Sequence, residues 1–138
     1  MIVITAATGN LGTHVVEQLL ERVPASKIRL AVRSPEKAAR FAARGVEVVP
    51  GDYDQPDQLE KAFQGAEKVL LISSSAVGQR ARQHKAAIDA AVAAGVPHLV
   101  YTSILGAPTT HAILAEEHVA TEKLLAASGI PYTVLRNG

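Results

Sequence analysis

The chain has 138 residues, 48% of them apolar, and its 14 lysines and arginines are nearly balanced by 13 aspartates and glutamates. That length supports one core, and a scattered net charge of +1 leaves no electrostatic footprint for a nucleic-acid backbone or an anionic membrane. The absence of cysteine excludes disulfides, a thiol nucleophile and cysteine-ligated metal centres; no apolar run reaches membrane-span length and the first residues lack the build of a secretory signal, so a cytoplasmic protein is expected.

The first apolar run, MIVIT, reads as a strand, and the stretch TAATGNLG, Thr5 to Gly12, follows it. It fits G-x-x-G-x-x-G with Ala6 in place of the first glycine, then Gly9 and Gly12. After it comes a helical stripe of Leu11, Val15, Val16, Leu19 and Leu20. A glycine turn between a strand and an amphipathic helix predicts a dinucleotide site. Backbone N–H groups of the helix N-terminus hold a pyrophosphate, Gly9 admits it, and Gly12 lets helix pack on strand. Alanine serves at position 6 provided that φ there is negative, since a positive φ costs about 1 kcal/mol or more. On that condition a turn with alanine at position 6 still holds the cofactor.

The second run, KIRLAV, ends at Val32, and Arg33 follows it. An acidic residue at that strand end would bind a ribose 2′-hydroxyl, whereas AVRSPEK places Arg33 there and Lys37 one turn into the next helix. Both suit a 2′-phosphate, which favours NADPH over NADH. Ser34 is placed to cap that helix, Pro35 suits its first position and Glu36 its positive dipole end. The runs VEVVP and EKVLLIS give the third and fourth strands. Asp52, in GDY, is a candidate acceptor for the adenine amino group; Ser73, Ser74 and Ser75 are candidates for the ribose and nicotinamide side. Aspartate and serine are equally ordinary turn residues.

A helical segment with Ile88, Ala91 and Val92 leads to a fifth strand, HLVYTS. A loop from Ile104 to Ile113, ILGAPTTHAI, follows that strand's carboxyl end and is a candidate ligand wall. PYTVLR reads as the sixth strand, and Gly45, Gly65, Gly95 and Gly129 each follow a helical segment, as helix C-termini favour. Strand and helix alternate throughout, which predicts an α/β fold: a doubly wound, Rossmann-like parallel sheet in the order 3-2-1-4-5-6 with helices on both faces. Strand 6 would lie at an edge, and an open edge rich in Tyr, Val and Leu is suited to pairing with another chain, as in a homodimer, or to aggregation. The five histidines show no metal-ligand spacing, and no nucleophile elbow is visible.

The segments ITAATGNLG, AVRSPEKA, GDYDQPDQL, LLISSSAVGQRARQH, AAGVPHLVYTS and LAEEHVATEKLLAASGIPYTVLRNG together resemble the NmrA-like branch of the atypical short-chain dehydrogenases. Within that branch the chain looks most like the type 2 NAD(P)H:quinone oxidoreductases. The resemblance implies NADPH contacts at Gly9, Asn10, Leu11, Arg33 and Ser73 to Ser75, and hydride transfer to a small quinone without flavin or metal. The branch also includes non-catalytic NADP-sensing regulators, which is the alternative function. The Tyr-x-x-x-Lys pair of ordinary short-chain dehydrogenases is replaced by His118 and Glu122 in HVATEK. Their i, i+4 spacing puts both on one helix face, where Glu122 could orient the imidazole or hold ribose hydroxyls and His118 could give a proton to the reduced quinone oxygen. His118 also shares a stripe with Leu114 and Leu125, so a half-buried structural histidine is the other reading. Members of the family continue well past LRNG into much of their substrate side. Residues 1–138 are therefore expected to form the nucleotide-binding part alone, with the C-terminal substrate part absent.

Overall fold

The computed structural model describes residues 1–72, 80–104 and 113–137. Six strands form one sheet: β1 (Ile2–Thr5), β2 (Ile28–Val32), β3 (Glu47–Pro50), β4 (Lys68–Leu71), β5 (Leu99–Ile104) and β6 (Tyr132–Asn137). All pair in parallel, in the order β3-β2-β1-β4-β5-β6, as the alternation of apolar runs and helical segments predicts. The registers Ile4↔Leu30 and Ile4↔Leu70 place the apolar centres of β2, β1 and β4 side by side.

Helices cover the sheet because successive side chains of a strand point to opposite faces. On one face Ile4, Leu30 and Val32 pack with Val16 of α1 (Asn10–Leu20) and Phe41 of α2 (Ala39–Ala42). On the other, Val3, Val69, Leu71 and Leu99 pack with Phe63 of α3 (Pro56–Phe63), Ile88 of α4 (Arg80–Ala93) and Leu125 of α5 (Ile113–Ser128). Two members of the expected helical stripes lie outside this packing: Leu11 is 42% exposed and Val92 48%. Leu11 belongs to the first turn of α1, and α4 turns Ala87, Ile88 and Ala91 inward instead. Each of the four glycines expected at helix C-termini has a φ between 71° and 92°.

The tightest backbone approach fixes α1 over the end of β1. A Cβ at Gly12 would lie 2.2 Å from the carbonyl oxygen of Ala6 and 2.6 Å from the Cα of Ala7. Both are backbone atoms, so no rotamer change relieves the clash, and only glycine lets the first turn of α1 sit this low. Gly12→Ala should therefore cost about 3 kcal/mol, at the upper end of overpacking penalties. Urea denaturation of the two proteins measures it; a loss of only a few tenths would show that α1 lifts off freely.

Candidate functional site

The turn between β1 and α1 does not meet the condition set for alanine at position 6, since the φ of Ala6 is 51°. Alanine here occupies the left-handed region that the missing glycine would have entered without strain. The conformation is held from both sides: the Ala6 carbonyl accepts the Gly9 N–H at 3.2 Å, and Gly12 presses on the same carbonyl. Gly9 is the N-cap of α1, with extended φ and ψ of −80° and 179°; it makes no side-chain cap, and no acidic residue stands in the first turn. The N–H groups of that turn have no intrahelical acceptors, and with the helix dipole they form a place for an anion. Nothing inside the fold demands glycine at position 9, where an added Cβ would meet nothing nearer than the Ala6 oxygen at 3.5 Å.

A cavity of about 220 Å³ opens beside this turn, at the carboxyl ends of β1, β2 and β3. Thr8 and Gly9 form one side; Arg33, Ser34 and Lys37 form the next. Arg33 and Lys37 are exposed, and neither makes an ion pair among the described residues. Ser34 precedes a 3-10 turn over Pro35–Ala38 that leads into α2, but its side chain makes no cap hydrogen bond, contrary to expectation. The 3-10 turn sets its first N–H groups at a different angle from those of an α-helix, and Ser34 faces the cavity instead.

Gly51, Tyr53 and Gln83 complete the wall, and the sequence reading named none of them. Gly51 follows β3 where it crosses closest to β2, and a Cβ there would come within 2.6 Å of the Ala31 Cβ. Asp52, the expected adenine contact, does not line the cavity. Its Oδ1 accepts the Asp54 N–H at 2.9 Å, an Asx turn that shapes the loop. The Tyr53 hydroxyl donates to the Ile72 carbonyl at 3.0 Å and stands 2.9 Å from Thr5 Oγ1, which in turn accepts the Ile72 N–H at 3.1 Å. Burial pushes the Tyr53 phenol up to about 12, against a smaller opposing effect of the Thr5 hydrogen bond.

Ser73, Ser74 and Ser75 lie outside the described residues, as do 105–112 of the candidate loop and the side chain of Asn10. His118 is buried on α5, more deeply than a half-buried stripe residue, while Glu122 is half-buried. The His118 Nδ1 lies 2.5 Å from the hydroxyl of Tyr101 on β5. His84 of α4 is buried beside them, its Nδ1 2.9 Å from Thr121 Oγ1.

Residues 6–138 match the family described as NAD(P)H-binding. The chain is 56% identical over 138 residues to quinone oxidoreductase 2 of Escherichia coli K12, covering all of this chain and 48% of that protein. It is 38% identical over 142 residues to an NmrA-like family domain-containing oxidoreductase of Aspergillus flavus, covering 98% of this chain and 46% of that one. The crystal structure of the Escherichia coli NADPH-dependent quinone oxidoreductase complexed with NADPH superposes with a TM-score of 0.97, covering all of this chain and 49% of the other. Triphenylmethane reductase of Citrobacter sp., complexed with NADP(H), gives a TM-score of 0.96 at 45% identity, over 99% of this chain and 49% of that one. The chain thus spans about half the length of the curated relatives it matches.

Two outcomes test this geometry. Ala6→Gly should stabilise the fold by up to about 1 kcal/mol, because relief of the left-handed strain exceeds the entropy lost by glycine; thermal melts read the difference, and a destabilised variant would contradict the strain. Tyr53 should make stability fall at alkaline pH. Its phenol ionises near 10 in an unfolded chain and at about 12 in the fold, so its contribution is complete below pH 10 and is lost as the pH rises toward 12. Denaturant titrations at pH 9 and 11 should show a smaller alkaline loss for Tyr53→Phe than for the unmutated chain.

Proposed function

The chain belongs to the NAD(P)H-binding family, and from that membership we propose that it binds NADPH in the cavity beside Gly9 and serves hydride transfer to a quinone. The observation that carries the reading is a single cavity joining an uncapped helix N-terminus to two cations, Arg33 and Lys37. A dinucleotide with a 2′-phosphate offers anions to both places.

In this reading the first-turn N–H groups of α1, at Asn10, Leu11 and Gly12, hold the pyrophosphate, with Gly9 leaving it room above Ala6. Arg33 meets the 2′-phosphate with its planar fork and Lys37 adds a second positive charge. No acidic side chain lines the cavity among the described residues, so nothing there selects a ribose 2′-hydroxyl over a phosphate. Asp52 remains a candidate adenine contact through the oxygen its turn does not use, and Ser73 to Ser75 remain candidates for the ribose and nicotinamide side. Bound NADPH supplies the hydride. His118, with Glu122 one turn along α5, is proposed as the donor that meets negative charge developing on the acceptor oxygen. The quinone as acceptor rests on the likeness to the Escherichia coli protein. Residues 1–138 supply the nucleotide side of that reaction, in the cytoplasm.

Calorimetric titration should show tighter binding of NADPH than NADH, and Arg33→Ala should weaken NADPH alone by about 1 to 3 kcal/mol, the worth of a charged hydrogen bond. Equal affinity for both nucleotides in the unmutated chain would overturn the assignment of Arg33. Gly9→Val should fold normally, since its Cβ meets no backbone closer than 3.5 Å, yet lose NADPH binding. A folded Gly9→Val protein with undiminished affinity would move the nucleotide elsewhere. Steady oxidation of NADPH by a small quinone separates the reductase from a non-catalytic sensor, which would bind without turnover.

A further inference from the structure

Thr5 at the end of β1, Tyr53 in the loop after β3 and Ile72 just past β4 meet at the carboxyl end of the sheet. Thr5 and Ile72 are buried, whereas Tyr53 is half-buried and lines the cavity. The paired register of β1 and β4 runs from Ile2↔Lys68 to Ile4↔Leu70, so Ile72 lies past its end. Side chains hold its backbone instead: Thr5 Oγ1 takes the N–H at 3.1 Å, and the Tyr53 hydroxyl reaches the carbonyl at 3.0 Å. The two hydroxyls stand 2.9 Å apart. Tyr53 also meets His84 edge-on, at the head of a row of buried rings, His84, Tyr101 and His118; successive centroids from Tyr53 are 6.2, 5.3 and 5.8 Å apart.

The position of each proton among Thr5, Tyr53 and Ile72 follows by elimination. An N–H only donates and a carbonyl only accepts, so Ile72 gives its proton to Thr5 and takes one from Tyr53. With the phenol proton engaged on Ile72, the contact between the hydroxyls is made by the Thr5 proton. The other acceptor in its reach, the Leu70 carbonyl, is 3.4 Å away, beyond the range of a good O–H···O bond. The bonds therefore run in one direction, from the Ile72 N–H to Thr5, to Tyr53 and back to the Ile72 carbonyl. Burial raises the pKa of the phenol and the Thr5 hydrogen bond opposes it, as a donor to the phenol oxygen does. Each bond in such a cycle polarises the next, and loss of one hydroxyl leaves buried polar atoms unmatched.

We propose that Thr5 and Tyr53 are positioning residues for the nucleotide, their cycle through Ile72 fixing the distance between two walls of the cavity. Thr5 immediately precedes the turn that supplies Ala6, Thr8 and Gly9 to one wall, and Tyr53 stands with Gly51 in another. A nucleotide then enters a cavity whose width is already set, and no binding energy goes into ordering these two loops. No atom of the cycle belongs to Arg33 or Lys37, so it acts on affinity for the dinucleotide as a whole and not on the choice between NADPH and NADH. This role rests on the reading of the cavity as a nucleotide site; the cycle itself does not.

Calorimetric titrations with NADPH and NADH measure the effect. Tyr53→Phe keeps the ring in the wall and removes the hydroxyl; Thr5→Val keeps the side-chain volume and removes the other hydroxyl. Each should weaken both nucleotides roughly tenfold with their ratio unchanged, and the double variant should lose no more than either single one. Thr5→Ser, which keeps a hydroxyl, should bind as the unmutated chain does. Losses that multiply in the double variant overturn the cycle, since two residues acting separately would give them. Unchanged affinity in either single variant, a loss confined to NADPH, or Thr5→Ser binding as poorly as Thr5→Val overturns the positioning role. Where a variant does not fold, proton spectra of the unmutated chain decide. The Thr5 hydroxyl proton should exchange slowly and show a nuclear Overhauser effect to the Tyr53 ring protons beside the phenol oxygen, and its resonance and that of the Ile72 amide should shift on addition of NADPH. A rapidly exchanging Thr5 proton, or resonances that do not respond to NADPH, overturn the proposal. An unmutated chain that binds neither nucleotide removes the reading of the cavity and with it the positioning role, while a slowly exchanging Thr5 proton would still establish the cycle.

Discussion

The closeness of Gly12 to the backbone of Ala6 and Ala7 is the constraint on which the site depends. With only 2.2 Å between a would-be Cβ and the Ala6 oxygen, α1 lies directly on the end of β1, and the chain must reverse within a few residues. That reversal places Ala6 in the left-handed region, Gly9 at the N-cap and the Thr13 hydroxyl near the Ala7 carbonyl, at 3.4 Å. A helix raised by the thickness of a methyl group would carry its first-turn N–H groups away from the mouth of the cavity. The strain at Ala6 is small beside this, since about 1 to 2 kcal/mol for one residue is a fraction of what packing α1 against Ile4 and Leu30 contributes.

The sheet order then determines what the helix end can face. Strands β2 and β3 lie to one side of β1 and β4 to β6 to the other, so the strand order reverses at β1, the switch point where α/β sheets take their ligands at the carboxyl ends. Arg33 and Lys37 come from the loop after β2, Gly51 and Tyr53 from the loop after β3, and Gln83 from α4 across the crevice. Gly51 has a part like that of Gly12: with no side chain it lets the chain after β3 lie against Ala31, which keeps the wall close enough to the cations to make one cavity.

What the sequence showed and what it withheld divide along a physical line. The strands were legible because each is a short β-branched run, and the helix ends because glycine marks a left-handed residue. Gly9, Arg33 and Lys37 were legible as cavity residues because their positions follow directly from strand ends. Ala6 gave no sign of its positive φ, since alanine carries no signature of that conformation and only the tertiary press of Gly12 reveals it. The Ser34 cap was misread because Pro35 opens a 3-10 turn before the α-helix begins. Tyr53, His84 and Tyr101 were invisible as a group because their contacts join residues 17 to 48 positions apart; no local pattern encodes such meetings.

The ring row and the Thr5 hydrogen bonds meet at the end of β4. Tyr101 stands opposite Leu71 in the register of β4 and β5, and Ile72, the next residue, has its N–H held by Thr5 and its carbonyl by Tyr53. Tyr53 is common to both systems, facing the cavity, bonding β4 and standing edge-on to His84. If the row served only to fill space between α4, β5 and α5, leucine or phenylalanine would do so with no polar atoms to satisfy. Two imidazoles and a phenol are buried together here instead, and through Tyr53 they adjoin the strand end that also shapes the cavity. Ring contacts link His118 through Tyr101 and His84 to Tyr53, so a shift of β4 would disturb the row and the cavity wall together.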